Sequence, residues 1–448
     1  MPMRSSGALS GRRLTLFVPA FCCLIIIFDG YDVTVFGSTI PVLLKYQPWH
    51  LDAAGAGLIA SLGLIGLLIG SLLCGFATDV LGRKRMLVFC STWFSLCMVV
   101  CAIAPTSQLF GLFRFLGGLG LGGVIPVCIA YIVEFAPPSR RYLFTAIGNA
   151  GFSVGGVASA LLGIAVIPEL GFRPMYLIPG VLLLLMPVAV FLLPESADFL
   201  MSKGRIEEAR EVARRSGLPM PSAATTAPAT PQRGWTGLRA LLRRPLLGNL
   251  ILFGLTGFAV QVLIYGLNTW LPQIMRAAGY GLTSALGFLA ALSVGAIVGS
   301  LALSLFADRI GPRGVLLTGF GFGIVALVVL SVGPPTAAVY AAVVLAGVGG
   351  NGTAAILHVF TGTWFPPAVR ASAVGSYMAV SRVGSVLGPL ALGWIVAVGL
   401  PVRWNFYALL VPTIVGVLLV LLLPRKTLDN RPVGAARKAQ DQPAPAPR

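Results

Sequence analysis

The sequence predicts an all-α integral membrane protein in which twelve transmembrane helices form two repeats of six. The 448 residues are 57% hydrophobic and 10% charged, with a mean hydropathy of +0.91, which is too apolar for a soluble surface. Apolar stretches of about 20 residues, the length that crosses a bilayer as a helix, recur along the chain. The two halves also match each other at a constant offset of 229 residues.

Twelve apolar stretches can be delimited, six on either side of a polar segment. Each is close to the length that a hydrocarbon core of about 30 Å requires. The predicted spans, numbered 1 to 12 in chain order, are 14–41, 57–78, 86–104, 108–133, 142–167, 175–193, 246–275, 284–307, 314–333, 337–364, 371–398 and 405–423.

Polar segments divide the chain into five parts. Residues 202–215 are charged and predict a surface helix, whereas 219–231 is rich in Pro, Ala, Thr and Ser and predicts a flexible linker. The predicted parts are a cytoplasmic N-terminal tail (1–13), an N-terminal six-helix bundle (14–193), a cytoplasmic central loop (194–245), a C-terminal six-helix bundle (246–424) and a disordered cytoplasmic tail (425–448).

Positive charge is concentrated on one side of the predicted bundle. The net charge is +18, and 26 of the 32 Lys and Arg residues fall on the side of the two termini. By the positive-inside rule, both termini and the central loop are predicted to be cytoplasmic, in a multi-pass protein of the inner (plasma) membrane. The basic excess therefore orients the chain and does not indicate a nucleic-acid partner. The exceptions are Lys45, Arg173, Arg276 and Arg403 in outer segments, with Arg114 and Arg382 inside spans.

Several classes of function are excluded by the contents of the spans. Gly118, Gly120 and Gly123 match a dinucleotide-binding spacing, but they lie within an apolar span and not in a turn that follows a strand. All seven Cys lie in first-half spans without a metal-binding spacing, and the chain has two His. The sequence holds no catalytic triad. We therefore predict a protein that is not an enzyme and binds neither metal nor cofactor.

The internal repeat is carried by three separate elements that keep one register. A parallel repeat of this kind predicts a substrate site between the halves, near the midplane of the membrane. The matching residues are Asp79 and Gly82 with Asp308 and Gly311, Pro137, Pro138 and Arg141 with Pro366, Pro367 and Arg370, and Gly118, Gly120 and Gly123 with Gly347, Gly349 and Gly352.

Two carboxylates, Asp29 and Asp32, lie three residues apart within span 1. A charge at the centre of a membrane helix costs about 3 kcal/mol, so two on one helical face indicate proton-coupled transport. Arg114 lies at a compatible depth in span 4 and is predicted to pair with one of them. The sequence does not distinguish which Asp carries the proton, and a purely structural salt bridge is the alternative.

The loops after spans 2 and 8 resemble the signature loop of the major facilitator superfamily, G-x-x-x-D-R-x-G-R-R. The first reads Gly75-Phe-Ala-Thr-Asp79-Val-Leu-Gly82-Arg83-Lys84-Arg85 and the second Asp308-Arg309-Ile-Gly311-Pro-Arg313. The resemblance covers about residues 14–424 and implies the major facilitator fold. Val80 replaces the usual Arg in the first loop, and ordinary loop charges are the alternative interpretation. In the family this loop gates the cytoplasmic side, which implies a gating role for Asp79, Gly82, Arg83, Asp308, Arg309 and Gly311.

Within that superfamily, the chain resembles the aromatic acid:proton symporters, the group of the 4-hydroxybenzoate and protocatechuate permeases. Span 10 differs, because it has Asn351-Gly352-Thr353 where these permeases tend to carry a Gln after paired glycines. The similar segments are Asp29-Gly30-Tyr31-Asp32, Arg114-Phe-Leu-Gly-Gly-Leu-Gly-Leu-Gly-Gly, Pro194-Glu195-Ser196, Asn268-Thr-Trp270-Leu-Pro272 and Ser381-Arg382-Val-Gly384-Ser-Val-Leu-Gly388-Pro389.

Arg382 is predicted to bind the carboxylate of the substrate. It lies about eleven residues, or about 17 Å, into span 11, where its guanidinium can pair bidentately with a carboxylate. A structural partnership with an acid on another helix is the alternative. Arg114 is a second predicted substrate-binding cation. Trp270, Tyr265 and Tyr377 are predicted to supply stacking walls for an aromatic ring, with packing or interface roles as their alternative.

Glu134 and His358 lie near the cytoplasmic ends of spans 4 and 10 and are candidates for a proton relay. Glu134 precedes the turn at Pro137 and Pro138, where pairing with loop arginines is the alternative. A lone histidine on a helix, such as His358, is otherwise simply hydrogen-bonded.

These residues favour a proton-coupled secondary transporter that imports a hydroxybenzoate-like aromatic carboxylate by alternating access. The expected partners are that carboxylate, protons and the lipid bilayer, with the protein working as a monomer. A proton-coupled exporter of drugs or metabolites would use the same fold. A membrane sensor that binds an organic acid without moving it is the third alternative, although intramembrane carboxylates are unnecessary for that role. The sequence leaves open the aromatic acid, the proton stoichiometry and the direction of transport.

Overall fold

The computed structural model describes residues 11–137, 140–218, 220, 241, 246–366 and 369–424, and their regular structure is helical. Twelve helices are long and apolar enough to cross a membrane, which confirms the predicted fold class. Their bounds are Arg12–Leu43, Ala53–Leu81, Arg83–Ile103, Ser107–Phe135, Arg141–Leu170, Arg173–Leu192, Leu246–Ala277, Leu282–Ala307, Arg309–Val332, Thr336–Trp364, Arg370–Ala397 and Arg403–Leu422.

The helices define two sides of the bundle. Because the number of crossings is even, span 1 begins and span 12 ends on the same side, which we call the terminal side. The opposite side, with the loops 44–52 and 398–402, is called the distal side. Some helix ends differ from those predicted from hydropathy. Span 2 begins at Ala53, earlier than predicted, because the Asp52 side chain accepts a hydrogen bond from the backbone N–H of Gly55 at 2.8 Å.

The two signature loops share one backbone conformation. Gly82, between spans 2 and 3, has a φ of 94°, and Gly311, between spans 8 and 9, has a φ of 76°. Both values lie in the left-handed region that L side chains rarely adopt, so glycine is required at each turn. The repeat seen in the sequence therefore corresponds to the same sharp turn in each half.

Close packing of spans 1 and 5 fixes the position of the two carboxylates. A Cβ atom on Gly30 would lie 1.8 Å from the carbonyl oxygen of Phe152, and one on Gly155 would lie 1.9 Å from that of Ile27. The helix backbones are therefore in direct contact at the level of Asp29 and Asp32. Small residues permit this approach, as they do in other membrane helix pairs.

The two halves pack against each other on the distal side. A Cβ atom on Gly37 would lie 2.1 Å from the carbonyl oxygen of Asn268, and one on Gly57 would lie 3.1 Å from the Cα of Gly393. The indole N–H of Trp270 in span 7 also donates to the carbonyl of Pro389 in span 11 at 2.8 Å. These contacts close the distal side in this conformation.

Two short helices, Ala197–Ser202 and Ile206–Ser216, follow span 6 on the terminal side. The second lies close to the predicted surface helix 202–215. Hydrogen bonds from Arg214 and Arg215 lower the pKa of the exposed Glu211 carboxyl to about 2. Glu211 therefore remains ionised throughout the physiological range. The predicted linker 219–231, apart from residue 220, and the tail 425–448 lie outside the described residues, as do residues 1–10 of the predicted N-terminal tail.

Candidate functional site

Asp32 and Arg114 form a buried ion pair between spans 1 and 4. Their side chains are 10% and 6% exposed, and the guanidinium also donates to the carbonyl oxygen of Asp32 at 3.4 Å. The Arg114 guanidinium lies 5.8 Å from the centre of the Phe36 ring. The predicted pairing of Arg114 with one of the two carboxylates is thus present, and the member of the pair is Asp32.

Asp29 differs from Asp32 in its surroundings. It is completely buried, and neither carboxyl oxygen has a hydrogen-bond partner in the described part of the protein. Burying an ionised carboxylate without a partner is far more costly than burying the neutral acid. The buried, unpartnered position of Asp29 therefore favours the protonated, neutral form of its carboxyl.

The positive charge of Arg382 in span 11 interacts electrostatically with the carboxyl of Asp29 in span 1, across the interface between the halves. Its guanidinium donates to the carbonyl oxygen of Leu67 in span 2 at 3.2 Å. No described carboxylate lies within salt-bridge distance of it. In the second half, 246–424, the sequence contains a single acidic residue, Asp308, and that residue lies at the end of span 8. A charge partner for Arg382 must therefore come from the first half or from a ligand.

A cavity of about 140 Å³ lies beside Arg382 in the terminal half of the bundle. Its walls include Tyr265, Tyr377 and His358, and the last two rings lie 5.8 Å apart at an angle of 70°. Cavities of about 150 Å³ in protein interiors accommodate benzene. The space thus fits a single aromatic ring with a cation at its edge. Gln261 and Ser381 also line the cavity, and neither was predicted from the sequence as a site residue.

Tyr265 connects this cavity with the ion pair. It lines both the cavity at Arg382 and a smaller one of about 20 Å³ that also contains Asp32, Arg114 and Thr269. The two predicted arginines are therefore placed differently. Arg114 is paired with Asp32, whereas Arg382 lines the larger cavity without a described carboxylate partner.

Trp270 lies apart from these cavities. Its side chain is fully buried, and its indole bonds to Pro389 within the contact between the halves on the distal side. The structure thus gives Trp270 the packing role that was the alternative to a stacking wall.

The first signature loop is anchored to the segment that follows span 6. Glu195 accepts hydrogen bonds at 3.0 Å from the backbone N–H groups of Lys84 and Ser196, and so caps the start of span 3. Arg83 forms an ion pair with Glu134 and donates to the Ser196 hydroxyl at 3.1 Å. Glu134 is therefore engaged with a loop arginine, as its alternative interpretation expected. The motif Pro194-Glu195-Ser196 was visible in the sequence, but its role was missed.

The second signature loop has different partners. Arg313 donates to the carbonyl oxygen of Leu423 at 3.1 Å and to that of Leu421, at the end of span 12. Arg309 is exposed. The side chains of Asp79 and Asp308 lie outside the described part of the structure, so their gating role stays a prediction.

The cysteines form no metal site within the described residues. No group of three or more His, Cys, Asp or Glu is close enough there to hold a metal ion, and all seven Cys are free thiols. The sulfur atoms of Cys74 and Cys90 lie 3.7 Å apart.

Comparison with known proteins places this geometry in a family. The chain matches the Major Facilitator Superfamily over residues 22–336 and 288–447. It belongs to that superfamily. The benzoate transport protein of Acinetobacter baylyi is 32% identical over 93% of this chain and 91% of its own length. The gentisate transporter of Corynebacterium glutamicum is 32% identical over 89% of this chain and 84% of its own.

The predicted resemblance to the aromatic-acid permeases of the superfamily is thereby confirmed. The 4-hydroxybenzoate transporter PcaK of Acinetobacter baylyi is also similar, with 29% identity over 89% of this chain and 88% of its own. The family and these relatives are transporters and not enzymes. The protein is therefore a multi-pass membrane transporter, as predicted.

Solved structures confirm the fold. The xylose transporter XylE of E. coli superimposes with a TM-score of 0.72 at 18% identity, over 92% of this chain and 97% of its own. A bacterial homologue of the human lysosomal transporter Spinster gives a TM-score of 0.74 at 17% identity, over 97% of this chain and 100% of its own.

Proposed function

We propose that the protein is a proton-coupled transporter that imports an aromatic monocarboxylate across the inner membrane. The observation that carries the proposal is the unpartnered, buried carboxyl of Asp29 on one half, together with the guanidinium of Arg382 on the other, which has no described carboxylate partner. An aromatic-walled cavity of one-ring size adjoins that guanidinium. The relatives are named as transporters of benzoate, gentisate and 4-hydroxybenzoate, and these names support the same substrate class.

The two charges supply a means of coupling. When Asp29 is ionised, its charge attracts Arg382 and competes with a substrate carboxylate for it. Protonation of Asp29 removes that competition, so the neutral acid and the bound carboxylate are compatible in one occluded state. Proton and substrate would therefore cross together.

Alternating access follows from the packing of the halves. The distal side is closed by the contacts at Gly37 and Gly57, while the cavity at Arg382 lies in the terminal half. The excess of Lys and Arg on the terminal side supports a cytoplasmic orientation of that side, with both termini inside. In this arrangement the present conformation would release substrate towards the cytoplasm.

Uptake into proteoliposomes tests the proposal. Purified protein would be reconstituted, a pH gradient (acid outside) imposed, and the accumulation of labelled benzoate, gentisate and 4-hydroxybenzoate measured with and without a protonophore. We expect uphill accumulation of at least one acid, abolished by the protonophore. Accumulation that persists without a proton gradient would contradict coupling, and net extrusion of the acids under the physiological gradient would favour the exporter.

A further inference from the structure

A second, much smaller cavity lies between the halves, on the opposite face of span 1 from the ion pair. It has a volume of about 10 Å³, enough for a single oxygen atom, and is lined by side chains from spans 1, 5, 7, 8 and 10. We call it the polar niche. Its polar side chains are Thr34, Ser153, Asn268, Ser293 and Asn351.

The hydrogen-bonding capacity of the niche is partly uncommitted. The hydroxyls of Thr34 and Ser293 donate to carbonyls of their own helices, at 3.0 and 3.2 Å, which leaves their oxygens as acceptors. Asn268 uses one amide N–H on the carbonyl of Ile264. The Asn351 amide, with two donors and one acceptor, bonds to no described residue. The niche thus offers donors and acceptors together, and its lining contains no charged side chain.

That chemistry matches a neutral hydroxyl group and does not match a carboxylate. A phenolic hydroxyl donates one hydrogen bond and accepts others, which the Asn351 amide and the two hydroxyl oxygens can satisfy at once. A carboxylate would need a cation, and it would face two acceptor oxygens. The carboxylate of a bound acid therefore belongs at Arg382.

The niche and the cavity at Arg382 lie on the same faces of two helices. In span 7, Tyr265 lines the cavity and Asn268 the niche, a spacing that keeps both on one helical face. In span 10, His358 lines the cavity, and Asn351, seven residues earlier, lines the niche about 10 Å closer to the distal side.

The position of Asn351 depends on a local irregularity of span 10. Residues Val348–Gly352 form a π-helix, which inserts one residue into the helical turn. Such segments occur frequently at functional sites because they reorient the following side chains. The same segment is where this chain departs from the permeases it resembles.

Resting on the proposed transport of aromatic acids, we infer that the polar niche binds a ring hydroxyl of the substrate, and that Asn351 sets the preference for hydroxylated over unsubstituted benzoates. A polar group that stays without a hydrogen-bond partner in a closed niche costs binding free energy. Such a site therefore discriminates between ligands with and without a hydroxyl group.

The test measures initial uptake of labelled benzoate, 3-hydroxybenzoate and 4-hydroxybenzoate in proteoliposomes. Asn351→Leu removes the amide. Gly156→Ala fills the niche, because the added Cβ would lie 2.7 Å from the Ser293 hydroxyl and 3.1 Å from that of Thr34. We expect both variants to lower the rate for at least one hydroxybenzoate about tenfold relative to benzoate.

Gly163→Ala is the matched control. It lies two turns away on the same helix, and its Cβ would meet Leu286 across the interface at 3.3 Å, outside the niche. We expect its ratio of hydroxybenzoate to benzoate uptake to equal that of the wild type. If both niche variants keep the wild-type ratio, or lose all three acids equally, the inference is wrong while the proposed function stands. If the wild-type protein transports none of the acids, the proposed function itself fails.

Discussion

The two halves share a backbone plan, yet their membrane-embedded charges differ. At the offset of 229 residues, Asp29 and Asp32 in the first half correspond to Phe258 and Gln261 in the second, and Arg382 corresponds to Ser153. The first half therefore holds the carboxylates, and the second holds one cation without an acid of its own. In the proposed mechanism the proton site and the anion site would therefore lie on opposite halves, so neither half could couple transport alone.

The signature loops show the same divergence. In the first half, Glu195 and Glu134 hold the loop through charged groups, whereas Arg313 in the second half binds backbone carbonyls at the end of span 12. Glu195 and Glu134 correspond to Pro424 and Thr363, which cannot replace a carboxylate. All these contacts lie within one half, so in this conformation the loops are tied to their own bundles.

The largest effect is expected at the ion pair. Asp32→Asn leaves the Arg114 guanidinium buried without a counter-charge, and breaking a buried pair in this way costs about 3 to 5 kcal/mol. We expect a clear loss of thermal stability in detergent, measured by the unfolding temperature, together with loss of transport. The double variant Asp32→Asn/Arg114→Gln should recover much of the stability. Wild-type stability of the single variant would show that the pair is not structural.

The division of labour between the halves is tested by comparing Asp29→Asn with Arg382→Lys. Asp29→Asn should abolish uphill uptake and retain exchange of labelled for unlabelled acid, because substrate binding is spared. Arg382→Lys loses the planar fork and should weaken binding by about 2 kcal/mol or more, or about thirtyfold, in both assays. Proteoliposome accumulation and exchange distinguish the two. The same loss pattern in both variants would refute separate proton and anion sites.

The smallest effect is expected at the loops. Glu195→Gln weakens two charge-assisted hydrogen bonds and should slow transport about threefold to tenfold. Arg313→Gln replaces one donor to backbone carbonyls with another, and should slow transport less. Glu207→Gln, an exposed acid of the same central segment, is the control and should behave as the wild type. Uptake rates, normalised to protein in the membrane, provide the measurement. Equal rates for all three variants would mean that the loop contacts do not affect gating.

The sequence was sufficient for the fold and for the identity of the charged residues. Hydropathy and the repeat predicted twelve helices in two halves, and the depth of Arg114 predicted its pairing. The sequence could not reveal that Asp32 takes the cation and Asp29 stays unpartnered, because that depends on how spans 1, 4 and 11 pack. The function of Glu195 was also hidden, since it caps a helix through the backbone N–H of Lys84, 111 residues earlier in the chain. Nor could hydropathy predict a π-helix at Asn351.

The distal closure has a consequence for how the conformational equilibrium is set. At Gly37 and Gly57 the two halves meet through backbone atoms, with no side chains to interdigitate or to bend aside. An added methyl group would lie 2.1 Å from a backbone oxygen at position 37 and 3.1 Å from a backbone carbon at position 57, so it would push the halves apart, and more strongly at position 37. Under the proposed alternating access, the balance between the two orientations of the carrier would depend on the absence of a few carbon atoms, and a single-nucleotide change to alanine would be enough to shift it.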